Sequence, residues 1–175
     1  MQKVPLKYLI VLVLSLAILT AGCTQEQPDV VPPSGNTTEV QQETYTSNAT
    51  LIAFVDRAAA YAKTNGKEKA LAEFNDLNGS FIDGELYIYA YDFNGTTLAH
   101  PVDPEMVGKN RLDEGDTGIY LSRLMESVKN GTGFDQIEYI NPAHDRRLEA
   151  KLVYAVEIDD EWWLGSGIYT GPVNQ

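Results

Sequence analysis

The sequence predicts an α+β domain: helices, a hairpin, a helical crossover and then a three-stranded meander, folded as one mainly antiparallel sheet with a long helix on one face. Three observations carry this. Apolar residues recur at helical spacing from Leu51 to Ala62 and again from Leu121 to Val128. Between them, Leu86, Ile88 and Ala90 alternate with Tyr87, Tyr89 and Tyr91, which is the period of a strand. After the second helix, three further strand-like runs follow without another helical stretch.

The first helix places Leu51, Val55, Ala58, Ala59 and Ala62 on one face and stops at Asn65-Gly66, a pair that readily makes a left-handed cap. A shorter helix follows through Ala70, Leu71 and Phe74. Asn94-Gly95 signals a tight hairpin out of the Leu86 to Tyr91 strand and into Thr97 to His100. A segment with Met106 and Val107 crosses to the helix near Gly118 to Lys129, whose face is Leu121, Leu124, Met125 and Val128. Gly131 to Gly133 breaks that helix. Phe134 to Ile140, Leu148 to Ile158 and Glu161 to Tyr169 are the meander strands.

The start of the chain reads differently. Lys3 and Lys7 precede an almost wholly apolar run, Leu9 to Leu19, and Ala21-Gly22 stand directly before Cys23. A charged start, an apolar run and small residues are the grammar of an export signal, and a cysteine just after the cut resembles a lipoprotein lipobox. The alternative is an uncleaved anchor, because the run approaches the ~17 apolar residues that barely span a bilayer. The cleaved reading divides the chain into a leader at 1–22, a lipidated Cys23 with a flexible tether at 23–47, a folded domain at 48–171 and a tail at 172–175. The tether is polar and proline-bearing and has little to bury. Five Asn-x-Ser/Thr sequons suit an exported chain, although three contain Asn-Gly and a turn explains them equally well.

Composition excludes several functions. The net charge is −12, and loss of Lys3 and Lys7 with the leader makes it more negative, so nucleic acid is an unfavourable partner. Cys23 is the sole cysteine and the histidines number 2, which leaves no Cys/His set for zinc; no metal site and no cofactor is expected. Ser166 lies in a strand rather than at a sharp strand-to-helix turn, and Asp159-Asp160 falls at a turn. The chain is read as a non-enzyme.

The stretches from Asn65 to Asn75 and from Gly84 to Asp92, then His100-Pro101, Gly108-Lys109-Asn110, Lys151 to Tyr154 and Gly165 to Tyr169, taken in order, resemble the single Cache family of extracytoplasmic sensor domains. The resemblance implies a long amino-terminal helix on a curved, PAS-like antiparallel sheet whose other face holds a small ligand, often an organic acid. It also implies a membrane receptor or kinase setting. This sequence ends soon after its last strand, so the expectation is an exported, lipid-anchored domain that passes its signal to a separate membrane receptor or kinase partner. An alternative of another class is a surface interaction module with a vestigial pocket.

A small carboxylate, most plausibly a monocarboxylate, needs a cation, neutral donors and an apolar wall. Lys151 interrupts the largely apolar Leu148 to Val156 strand and shares a face with Val153 and Ala155. Alternation alone allows that face to meet solvent as readily as a pocket; the resemblance, in which a lysine recurs here, favours the pocket. Tyr89, Tyr91, His100 and Tyr139 complete the expected lining, and closure of the crossover loop is expected to expel water. Lys109 and Arg111 read as solvated loop charges. After the Gly-x-Gly turn, where family members often carry tryptophan, this sequence has Phe134-Asp135-Gln136, and an acid near that wall is expected to change which ligand is accepted. One ring of Trp162-Trp163 is assigned to the core.

Overall fold

The computed structural model describes residues 45–173 apart from Thr132 and Pro142. The export leader, Cys23, all but the end of the tether, the sequon at Asn36 and the last two residues lie outside the described residues.

The first helix, α1 (Asn48–Asn65), begins where the Ser47 hydroxyl accepts a bond from the Thr50 amide at 3.1 Å, a side-chain cap for an otherwise orphaned donor. It ends at Gly66, which takes φ 82° and ψ 161° rather than the expected left-handed cap. The extended ψ lets one residue close α1 and open α2 (Lys67–Phe74) with no linker between them. The strand expected from Leu86 to Tyr91 is divided at Ile88. Its first part, β2 (Leu86–Tyr87), pairs only with β1 (Ile82–Asp83), a two-residue strand too short to show a period. Its second part, β3 (Tyr89–Asp92), enters the main sheet and turns at Asn94-Gly95 into β4 (Thr97–Ala99).

A turn at Pro104–Met106 leads through the crossover to α3 (Asp116–Lys129), after which β5 (Phe134–Asn141), β6 (Arg147–Glu157) and β7 (Trp162–Pro172) form the meander. The five-stranded order is β4-β3-β7-β6-β5, antiparallel throughout, so the last strand of the chain lies at the centre.

Both faces of the sheet are buried, which is why the alternating runs are apolar on one side and aromatic on the other. On one face, Leu51, Phe54, Val55, Ala58 and Ala62 of α1 pack with Leu86, Ile88, Ala90, Trp162, Leu164 and Ile168. On the other, Leu121, Leu124 and Val128 of α3 pack with Tyr89, Tyr91, Val153, Ala155 and Trp163. Both tryptophans are therefore core, one on each face. The β5–β6 hairpin closes on a fully buried carboxylate: Glu149 accepts from Asn141 Nδ2 at 2.7 Å and faces His144 Nδ1 at 2.8 Å.

The crossover is fixed as if it were another strand. Thr97 donates its amide to Lys109 at 2.9 Å, Gly108 donates to Thr97 at 2.8 Å and Arg111 donates to Gly95 at 3.0 Å. Gly118, in the first turns of α3, lets the helix sit on this loop, since a Cβ there would stand 1.9 Å from the Leu112 carbonyl oxygen. Gly118→Ala should destabilise the protein by about 1–3 kcal/mol, because backbone must give way. Urea unfolding measures this, and an unchanged midpoint would show that the loop has slack.

Candidate functional site

The aromatic face of the sheet does not close completely against α3. It leaves a cavity of about 530 Å³ whose floor includes Tyr89, Tyr91, Val153 and Trp163 and whose roof includes Thr117 and Tyr120 of α3. The rim includes Ile119 and Tyr139, which are 65% and 57% exposed. Tyr89, Tyr91, His100, Tyr139 and Lys151 all line this one space.

Lys151 is 9% exposed. It can reach into the cavity because Gly167 on the neighbouring strand has no side chain: a Cβ there would be 2.8 Å from Lys151 Cε. Gly165 serves Tyr89 in the same way, its absent Cβ lying 3.0 Å from the tyrosine ring. The Lys151 ammonium stands 4.9, 5.6 and 5.8 Å from the ring centroids of Tyr169, Tyr139 and Tyr87. No carboxylate or hydrogen-bond acceptor contacts it among the described residues. Burial lowers its pKa, partly offset by Glu85. Aromatic faces supply some cation–π attraction, yet a buried cation without an anion is a standing electrostatic debt.

The tyrosines around it are held neutral. Burial pushes the Tyr87, Tyr89 and Tyr120 hydroxyls well above their ordinary value, and Tyr169 is pushed up to about 12. They act as hydrogen-bonding groups, not as acids. Tyr169 donates to the Ile140 carbonyl at 2.7 Å, and its amide donates to Glu85 at 3.1 Å, which fixes the ring nearest the lysine.

His100 lies just past β4, its ring 5.3 Å from that of Tyr87. Its Nδ1 is buried and has no partner among the described residues. Burial lowers its pKa; the Arg111 and Lys151 charges act in the same direction and Asp103 opposes them. The imidazole is therefore kept neutral.

Arg111 departs from the expectation of a solvated loop charge. Its side chain is 17% exposed and lines the cavity, whereas Lys109 is exposed. The guanidinium pairs with Glu114 at 2.8 Å and reaches the Tyr91 hydroxyl at 3.5 Å; these bonds outweigh burial and raise its pKa. The backbone stitching of its loop to β4 puts it there, and local sequence carries no sign of that stitching. Tyr87, Tyr120 and Trp163 also belong to the lining. Tyr87 shares the alternating face of Tyr89 and Tyr91, so its signal was present in the period. Asp135, expected to alter ligand choice, has its carboxylate occupied by Arg123 Nε at 2.7 Å. Among the described residues, no group of three His, Cys, Asp or Glu is placed to hold a metal ion, and no helix is long and apolar enough to cross a membrane.

The family model described as Single Cache domain 2 matches residues 34–175. A sensor histidine kinase, MctS, of Rhizobium johnstonii is 25% identical over 171 residues, 93% of this chain and 37% of the relative. The chain thus spans little more than a third of that curated relative. A methyl-accepting chemotaxis protein from Vibrio parahaemolyticus superposes with a TM-score of 0.55 at 21% identity, covering 69% of this chain and 86% of that one. A Cache chemosensory domain solved for its recognition of carboxylic acids superposes with a TM-score of 0.52 at 19% identity, covering 70% and 92%. At these identities the likeness establishes the fold.

The neutral His100 has a consequence for stability. Its folded pKa lies below the unfolded value of about 6.5, so the unfolded chain binds the proton first and stability falls as pH drops through about 6.5 toward the folded value. His100→Asn should therefore lose less melting temperature than the parent protein between pH 7 and pH 5. Parallel slopes would show that the imidazole is not held neutral.

Proposed function

Because this chain belongs to the single Cache domain 2 family, we propose that it is an extracytoplasmic, membrane-tethered sensor whose cavity takes a small organic acid, a monocarboxylate. The observation that carries this is the Lys151 ammonium, 9% exposed in a cavity and without an anionic partner among the described residues. A carboxylate beside it would compensate the charge and recover the hydrogen bonds that the ammonium lacks. The surrounding tyrosines and His100 would orient the ligand by hydrogen bonding. No bond is made or broken.

The carboxylic acid recognition described for one structural neighbour supports this ligand class, and the kinase relative supports a signalling role. In this reading the tether is the lipidated Cys23 with the residues behind it, and the ligand-bound shape is passed to a separate membrane receptor or kinase. The enclosure of Lys151 favours a working pocket over an interaction surface with a vestigial one, for which a solvated lysine would be expected.

The test is a thermal-shift screen of the full chain against small carboxylates, amino acids, amines and purines. A ligand at ~100 times its dissociation constant adds about 2.7 kcal/mol, several degrees in a domain of this size. The expected outcome is a shift confined to carboxylates and abolished in Lys151→Met, with the variant still folded by circular dichroism. Undiminished acid affinity in that variant would remove Lys151 from the site, and a flat response to every carboxylate would refute the ligand class. For the tether, mass spectrometry of the chain extracted from membranes should show residues 1–22 removed and a lipid on Cys23; an intact leader would point to an uncleaved anchor.

A further inference from the structure

The cavity is too large and too asymmetric for a two-carbon acid. At ~30 Å³ per water, 530 Å³ equals about eighteen waters, whereas acetate has four non-hydrogen atoms. An acid of that size on Lys151 would leave most of the space to water, including that against the Tyr89, Tyr91 and Trp163 floor.

The charges within the cavity are unequal in kind. Lys151 has no anionic partner among the described residues, so one carboxylate is called for. The charge of Arg111 is already met by Glu114 at 2.8 Å, and that of Arg123 by Asp135 at 2.7 Å. Asp116 and Glu138 add negative charge at exposed positions of the lining. A second carboxylate on the ligand would meet this surplus rather than a free cation.

Arg111 still has donors to give. Its Nη1 lies 3.5 Å from the Tyr91 hydroxyl, at the outer limit of a hydrogen bond, and a guanidinium carries five N–H groups and no acceptor. Tyr91 stacks on Trp163 at 5.2 Å and 22°. The Trp163 indole N–H, a donor only, is fully buried and has no partner among the described residues. Such a group is normally satisfied. The indole N–H is closed off from the cavity, so the donors offered at this end are those of Arg111.

The two ends are separated along β7. Lys151 Cε lies over Gly167, and Arg111 reaches Tyr91, whose partner across the ladder is Trp163, four residues along β7 from that glycine, or about 13 Å of strand. A ligand that meets both side chains is therefore several atoms long. Tyr89, Tyr120 and Val153 line the stretch between.

We propose that the ligand is an extended monocarboxylate whose far end bears a neutral hydrogen-bond acceptor, its carboxylate on Lys151 and its acceptor on Arg111. This rests on the carboxylate reading above and narrows it. Arg111 then sets specificity: it selects for length and for an uncharged oxygen.

Isothermal titration of the full chain with acetate, heptanoate, 6-oxoheptanoate and pimelate tests this. The expected order puts 6-oxoheptanoate at least tenfold tighter than acetate, heptanoate and pimelate. In Arg111→Met, its advantage over heptanoate should shrink to within about twofold. Melting curves check that the variant folds, and the ranking in the unaltered protein decides the matter if it does not. Acetate binding as tightly as 6-oxoheptanoate would overturn the extended ligand, heptanoate doing so would overturn the acceptor, and pimelate doing so would overturn its neutrality. All three results leave the carboxylate reading standing. Silence from all four acids would overturn both.

Discussion

Everything in this domain depends on a central strand that must satisfy two different neighbours at once. Through Trp162, Leu164 and Ile168, β7 supplies the apolar surface that α1 covers. Through Trp163, Gly165, Gly167 and Tyr169 it serves a cavity on the other face: Trp163 lines it, the two glycines leave room for Tyr89 and Lys151, and Tyr169 stands beside the lysine. The period of two that separates these sets cannot slip by one residue without exchanging floor and core. Pairing with β3 on one side and β6 on the other locks that register, and the site inherits its geometry from the lock.

The glycines on the floor side are the complement of the bulky residues around them. Where β7 has no side chain, its neighbours can lay Lys151 and the Tyr89 ring across it. The lysine thereby becomes buried without being paired, an arrangement unfavourable to folding and favourable to binding an anion. The tyrosine rings that stand close to it moderate the penalty without discharging it.

What could be read in the sequence follows from how local each cause is. The helices, the meander and the two-faced strand announce themselves by period. Tyr89, Tyr91, His100, Tyr139 and Lys151 line one cavity; alternation groups the strand residues on a face, but only the family resemblance, not the period, turned that face toward a pocket. Arg111 escaped, since its place depends on backbone bonds between the crossover and a strand edge, which no side-chain pattern encodes. The buried Glu149 escaped because its partners, Asn141 at the end of β5 and His144 in the turn that follows, meet it only once the hairpin has formed. The break at Ile88 was invisible because the alternation continues through it while the pairing partner changes.

The expected closure of the crossover loop also needs revision. With Thr97, Gly108 and Arg111 bonded across the edge of β4, that loop is already an ordered part of the sheet before any ligand arrives. Its ordering entropy is spent during folding and not during recognition, so an incoming molecule meets one end of the cavity rigid and complete. Differences in affinity among ligands then report the fit of the molecule itself, undiluted by the varying work of assembling the site around it.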